Sequence, residues 1–242
     1  MRLALLRTRT RTRTAIRTMT DSLAVLRLCQ LVSPALPIGA YNFSQALEYA
    51  VERAWVHDEG SAHAWISGLA SHAIGTLDVP LLFRLHEAWQ GGDVASARQL
   101  SRQVIAARET AELRAEERHM GRSLAKVLVE LNITAAAEWV RSDDASYAAL
   151  FALAACEGGI AARDMAQGYL WAWCENQVLA AVKLLPLGQS AGQRVLDQLL
   201  RAIPPIVEQA WLMRPQDVGV ATPLHAMCSA WHETQYTRLF RS

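Results

Sequence analysis

Apolar residues recur at three-and-four spacing along almost the whole chain, and no stretch alternates apolar and polar positions as a half-buried strand would. The pattern predicts an all-α fold, a single-domain bundle of roughly nine to ten helices over residues 21–242. A first helix, capped by Asp21 or Ser22, is expected to run to about Val32, where "SPALPIG" (33–39) breaks it with two prolines and a glycine. "SQALEYAVERAW" resumes the helical pattern with Leu47, Val51 and Ala54/Trp55 on one face, and "SAHAWISGLASHAIG" carries Trp65, Leu69 and Ala73 to a stop at Gly75. Asp78 reads as the cap of "VPLLFRLHEAWQ", with Pro80 in its first turn and Gly91-Gly92 as its end. Asp93 starts another helix, and "ETAELRAEERHMGRSLAKVLVEL" predicts a long one with an exposed charged face. There Glu112 and Glu116 are set against Arg114 and Arg118 in pairs four residues apart. "DDASYAALFALAAC" is almost wholly apolar behind its acidic cap, which places it centrally in the core.

Residues 164–185 carry Trp171, Cys174, Val178, Ala181/Val182 and Leu185 on one stripe, with Asn176 and Lys183 seven apart on the polar side. Pro186 ends this helix. The following "GQSAG" (188–192) has the Gly-x-Ser-x-Gly form of a hydrolase elbow, with Asp217 and then His225 or His232 in triad order downstream. A serine hydrolase using Ser190 is therefore one alternative. The elbow, however, exposes its serine where a strand meets a helix, and here a helix enters and another leaves. The glycines then read as a helix stop and a close-packed restart. His225, Cys228 and His232 fall at i, i+3 and i+7 of the last helix, one stripe of borderline ligands, so a nickel-binding carrier is a second alternative. No acidic residue in the sequence is obviously paired with them, and histidine and cysteine pack well in cores, so no metal site is assigned.

Composition narrows the choice. Hydrophobic residues make up 52% and charged residues 19%, which excludes wholesale disorder and suits a protein that buries area against partners. The net charge of +1 hides an asymmetry. Residues 1–19 hold six arginines and no acid, and removing those six from 24 basic residues leaves 18 against 23 acidic ones, a net −5 for the rest. The body thus carries no overall basic footprint for nucleic acid. The "RTRTRTRT" leader (1–20) buries nothing and is expected to be a disordered tail. Four scattered cysteines without a Cys-x2-Cys pair read as reduced thiols of a cytoplasmic protein, and the longest apolar runs, 145–156 and 177–182, are short of the ~20 residues of a membrane span. No phosphate-cradling Gly-x4-Gly-Lys loop occurs. Together these features favour an adaptor or chaperone over an enzyme, with no cofactor.

"LVSPALPIGAYNFSQALEYAVERAWV" (31–56) resembles the N-terminal signature of the UreF family of urease accessory proteins. The resemblance continues through "ETAELRAEERHMGRSLAKVL" (109–128), "ENQVLAAVKLLPLGQSAGQRVL" (175–196) and "HETQYTRLFRS" (232–242). It implies a homodimer without catalytic activity that bridges the accessory protein UreD (UreH) and the GTPase UreG in GTP-dependent nickel insertion into apo-urease. It also implies that Lys183, with Asn176 beside it, faces the GTPase. The tail residues Tyr236, Arg238, Leu239, Phe240 and Arg241 are implied to face UreD. Ala46 stands where the family usually has glycine, a departure expected to touch only local packing.

Overall fold

The computed structural model describes residues 12–219 and 222–242, with side chains from Ser22 onward. The first eleven residues of the leader expected to be disordered lie outside the described residues, as do the side chains of residues 12–21. Ten α-helices occur among the described residues, joined by short 3-10 and π segments and without a strand. They are α1 (Thr12–Leu31), α2 (Leu47–Glu52), α3 (Glu59–Leu69), α4 (Asp78–Gln90) and α5 (Val94–Ala106), then α6 (Ala111–Glu130), α7 (Tyr147–Glu157), α8 (Ala162–Leu184), α9 (Gln189–Trp211) and α10 (Pro223–His232).

The apolar segment forms α7, and it is central as its composition requires: Ala148 to Ala155 are all buried, between α4 on one side and α6 on the other. Ser146 caps α7 through the amide of Ala149, and Trp89 of α4 donates its indole N–H to the Ala149 carbonyl at 2.9 Å. Helices α8 and α9 form the second packed pair, with α3 laid against them. Their close approach needs Gly192, where a Cβ would lie 2.9 Å from a Val182 methyl. The restart role expected of that glycine is therefore met. The stop role expected of Gly188 is not, because its φ of −72° is open to any residue, and α8 ends instead as Leu185 turns extended ahead of Pro186.

Local signals differ from the structure in three places. Helix α1 begins at Thr12, ahead of the expected cap at Asp21 or Ser22. Helix α2 stops at Glu52, because Ala54 adopts a left-handed φ of 57° and turns the chain away. Asp78 is no cap: it sits inside the first turn of α4, 1% exposed, and its carboxylate pairs with Arg108.

Gly121 on α6 faces the chain entering α7, where an added Cβ would overlap the Ala145 carbonyl oxygen and lie 2.7 Å from the Ser146 carbonyl carbon. That backbone is fixed by Ser101, whose hydroxyl bonds Ser146 at 2.7 Å, so it cannot yield cheaply. Gly121→Ala is expected to lower stability by about 2 kcal/mol through overpacking, despite alanine's better helix propensity, as chemical denaturation would measure.

Candidate functional site

The candidate site lies where the turn into α2 meets the C-terminal segment. After the 3-10 turn Ala40–Asn42, Gln45 and Ala46 take successive left-handed conformations, φ 50° and 67°. This turn is unusual without glycine, and the glycine that the resemblance implies at position 46 would adopt it without strain. The departure is one of backbone conformation, not of packing alone. The ~1–2 kcal/mol that a left-handed alanine costs is partly offset by burial of its methyl beside Tyr49 and Cys228, worth about 0.8 kcal/mol.

Three bonds hold the turn. Gln45 donates its side-chain amide to Glu116 at 2.7 Å and accepts the indole N–H of Trp173 at 2.7 Å. Its backbone carbonyl accepts from His225 Nε2 at 3.1 Å.

The turn aims Glu48, 7% exposed, at the C-terminal segment. One oxygen of Glu48 accepts the Leu239 amide at 2.6 Å, and the other accepts the Phe240 amide at 2.9 Å. His232, fully buried, bridges Glu112 (Nδ1, 2.7 Å) and Glu48 (Nε2, 3.3 Å). Both ring nitrogens are thus engaged by carboxyl groups from two different helices. The clamp closes with Ser44, whose amide and hydroxyl donate to the Ser242 carbonyl at 2.8 and 2.7 Å, and with the Arg241 amide on the Asn42 carbonyl at 2.8 Å. Ser242 Oγ in turn donates to Glu116 at 2.6 Å.

The residues assigned from the sequence converge here. Lys183 is exposed at the end of α8, and its ammonium stands 5.1 Å from the centroid of the Phe240 ring. Asn176, two turns earlier, is half-buried and donates to the Phe43 carbonyl at 3.1 Å. Phe240 is turned into the chain, buried against Leu47, Ala181 and Leu185, while Tyr236 and Leu239 point outward and Arg238 pairs with Glu112. Glu48, Glu112 and Glu116 were not singled out as site residues. The spacing of Glu112 and Glu116 predicts an exposed face, whereas Glu116 is buried and Glu112 pairs across the fold instead of with its own helix.

The alternative chemistries find no geometry. Ser190 lies exposed in the first turn of α9, after a loop from α8. Asp217 is held by Arg214 at 2.6 Å, and His225 and His232 are engaged as described, so no triad forms around Ser190. His225, Cys228 and His232 do lie on one buried stripe. Yet both nitrogens of His232 face carboxylates, burial pushes the Cys228 thiol up to about 11, and no group of three ligating side chains among the described residues is placed to hold a metal ion.

A second buried network adjoins the clamp. Arg108 pairs with Asp78 and, at 2.8 Å, with Glu117, and the Tyr169 hydroxyl reaches Asp78 at 3.2 Å. These groups and Glu116 line a cavity of about 90 Å³ beneath Trp173. Burial drives the Glu116 carboxyl up to about 7, against the smaller opposing pull of the Ser242 and Gln45 hydrogen bonds. The folded protein thus keeps a proton that the unfolded chain releases near the ordinary 4.5. Stability gained from this site is full below that ordinary value and is lost as pH rises through about 7. The Glu116→Gln variant is expected to remove a fall of up to about 3 kcal/mol between acid and mildly alkaline pH, read as a flatter melting temperature against pH than the parent protein's.

The UreF family model matches residues 56–200, more than half of the chain. A urease accessory protein UreF of Alkalilimnicola ehrlichii is 46% identical over 220 residues, covering 91% of this chain and 96% of that protein. Those of Hahella chejuensis (42%, over 91% of this chain and 99% of that protein) and Azoarcus sp. (45%, over 91% and 96%) are similar along nearly their whole lengths. With a family model matched over more than half of the chain, relatives alike along nearly all of it and only helices among the described residues, the chain belongs to the UreF family of urease accessory proteins.

Proposed function

We propose that this protein acts by protein contacts alone, as a cytoplasmic adaptor and co-chaperone that bridges UreD (UreH) and the GTPase UreG during GTP-dependent nickel insertion into apo-urease. The observation that carries the reading is the surface around the docked tail. Tyr236 is fully exposed and Leu239 is 61% exposed, and Leu224, Met227 and Trp231 are exposed at i, i+3 and i+7 of α10. An apolar surface of this kind, framed by Arg238 and Arg241, is what a buried protein interface uses: apolar anchors with a charged rim. Lys183 stands across Phe240 from it, a single cation placed to meet a second partner.

The protein itself works as a homodimer, and α1 supplies the fitting surface. Leu23 and Leu26, three residues apart on one side of α1, are 51% and 66% exposed, whereas Val25 lies beside Leu28, which packs against Gly168 of α8. Apolar side chains exposed in a row on one helix favour burial against a second copy.

Size-exclusion chromatography with light scattering, first alone and then with the UreD and UreG of the same host, tests the reading. A dimer that joins both partners in a larger assembly is expected. A species that elutes unchanged in their presence would overturn the adaptor role. In the Tyr236→Ala/Leu239→Ala double variant, binding to UreD should weaken about tenfold, the loss of roughly 1.4 kcal/mol of apolar contact, without a change in melting temperature. Removing residues 236–242 outright is a poorer probe, because it also strips Glu48 and Glu116 of their partners. Lys183→Ala should leave the fold intact, the lost ring contact being worth about 0.5–1 kcal/mol, while UreG-dependent GTP hydrolysis in the complex changes. A melting temperature lowered by many degrees would mark the lysine as structural instead.

A further inference from the structure

A groove of about 1150 Å³ runs along α6. Arg118, His119, Arg122 and Lys126 line it from α6, Arg141 from the loop before α7, and Arg241 from the docked tail. Three carboxylates also reach its wall, and each is already engaged. Glu112 is held by His232 and Arg238, Glu116 by Ser242 and Gln45, and Asp143 by Arg122. The cations are not matched in the same way. Arg118 spends its donors on the backbone carbonyls of Asp143 and Arg114, and Lys126, Arg141 and Arg241 have no ion pair among the described residues. His119 shows the resulting field: burial, and then the charges of Arg241 and Lys126, push its imidazole below the ordinary value. An unmatched positive groove stands out on a body with 18 basic and 23 acidic residues beyond the leader.

We infer that this groove binds an acidic segment of a partner protein, with Arg118, Lys126, Arg141 and Arg241 as the cations that meet its carboxylates. Arg118 and Lys126, eight residues apart on α6, set unmatched charges about 12 Å apart along the groove. Carboxylates at every fourth position of an extended chain recur at nearly the same interval, about 13 Å. A nucleic-acid strand fits less well. Phe43, which lines the groove, is buried and offers no face for a base, which leaves the His119 ring alone to stack on. Binding of this kind selects and orients a partner, and salt weakens it because the cations are exposed.

The test uses the full chain and a dye-labelled peptide of alternating Glu and Ala, followed by fluorescence polarisation. The parent protein should bind at about 50 mM salt and lose at least about tenfold in affinity by about 300 mM, where the screening length has fallen to several ångströms. The Lys126→Glu/Arg141→Glu variant should bind at least about tenfold more weakly with an unchanged melting temperature, since neither side chain is buried or paired. Arg201→Ala, which removes an exposed arginine on α9, should leave binding as it was. No binding by the parent protein would overturn the inference. So would equal losses in the groove variant and the Arg201 control, or an oligothymidylate that binds as tightly as the peptide.

Discussion

The functional end of this molecule depends on the left-handed turn at Gln45 and Ala46. Two consecutive residues without glycine hold a backbone shape that costs each of them roughly 1–2 kcal/mol, so the surroundings must fix it. They do so from three directions, through Glu116 on α6, Trp173 on α8 and His225 on α10. The turn in exchange starts α2 with Glu48 facing inward, and that carboxylate receives the returning C-terminal segment. A slip of one residue here would swing Glu48 out of reach of Leu239, Phe240 and His232 alike.

The hold on the tail is mostly polar. Apart from Phe240, it is held by hydrogen bonds and ion pairs with Asn42, Ser44, Glu48, Glu112 and Glu116, while Tyr236 and Leu239 face solvent. Such a segment belongs to the part of a fold that opens at lowest cost, in contrast to α7 and its fully buried alanines and leucines. Lys183 touches the same Phe240 ring that the tail inserts, and Asn176 bonds the loop that receives Ser242. What happens to the tail is therefore felt on α8 through direct contact, without a long relay.

Much of this was legible in the sequence, and what was not has a physical cause. The three-and-four stripe of residues 164–185 gave α8 its length and put Lys183 outside, because burial of one face decides both. The serine of "GQSAG" could be set aside because a helix, not a strand, leads into it. Spacing along one helix could not say that Glu112 and Glu116 would prefer partners more than a hundred residues away over the arginines one turn off. Asp78 looked like a cap for the same reason, but Arg108 claims it from the loop between α5 and α6. A net charge summed over the chain likewise averages away a groove whose cations come from α6, a loop and the tail. Tertiary neighbours decide such cases, and one-dimensional spacing does not carry them.

If the entry turn, the docked tail and the end of α8 form one partner-facing unit, they should respond together. Hydrogen–deuterium exchange on the protein alone and in complex with UreD and UreG reads this directly. The account predicts concerted slowing of exchange in residues 43–48, in 236–242 and at the last turns of α8 around Lys183. Slowing confined to other helices, with those three segments exchanging as in the free protein, would contradict it.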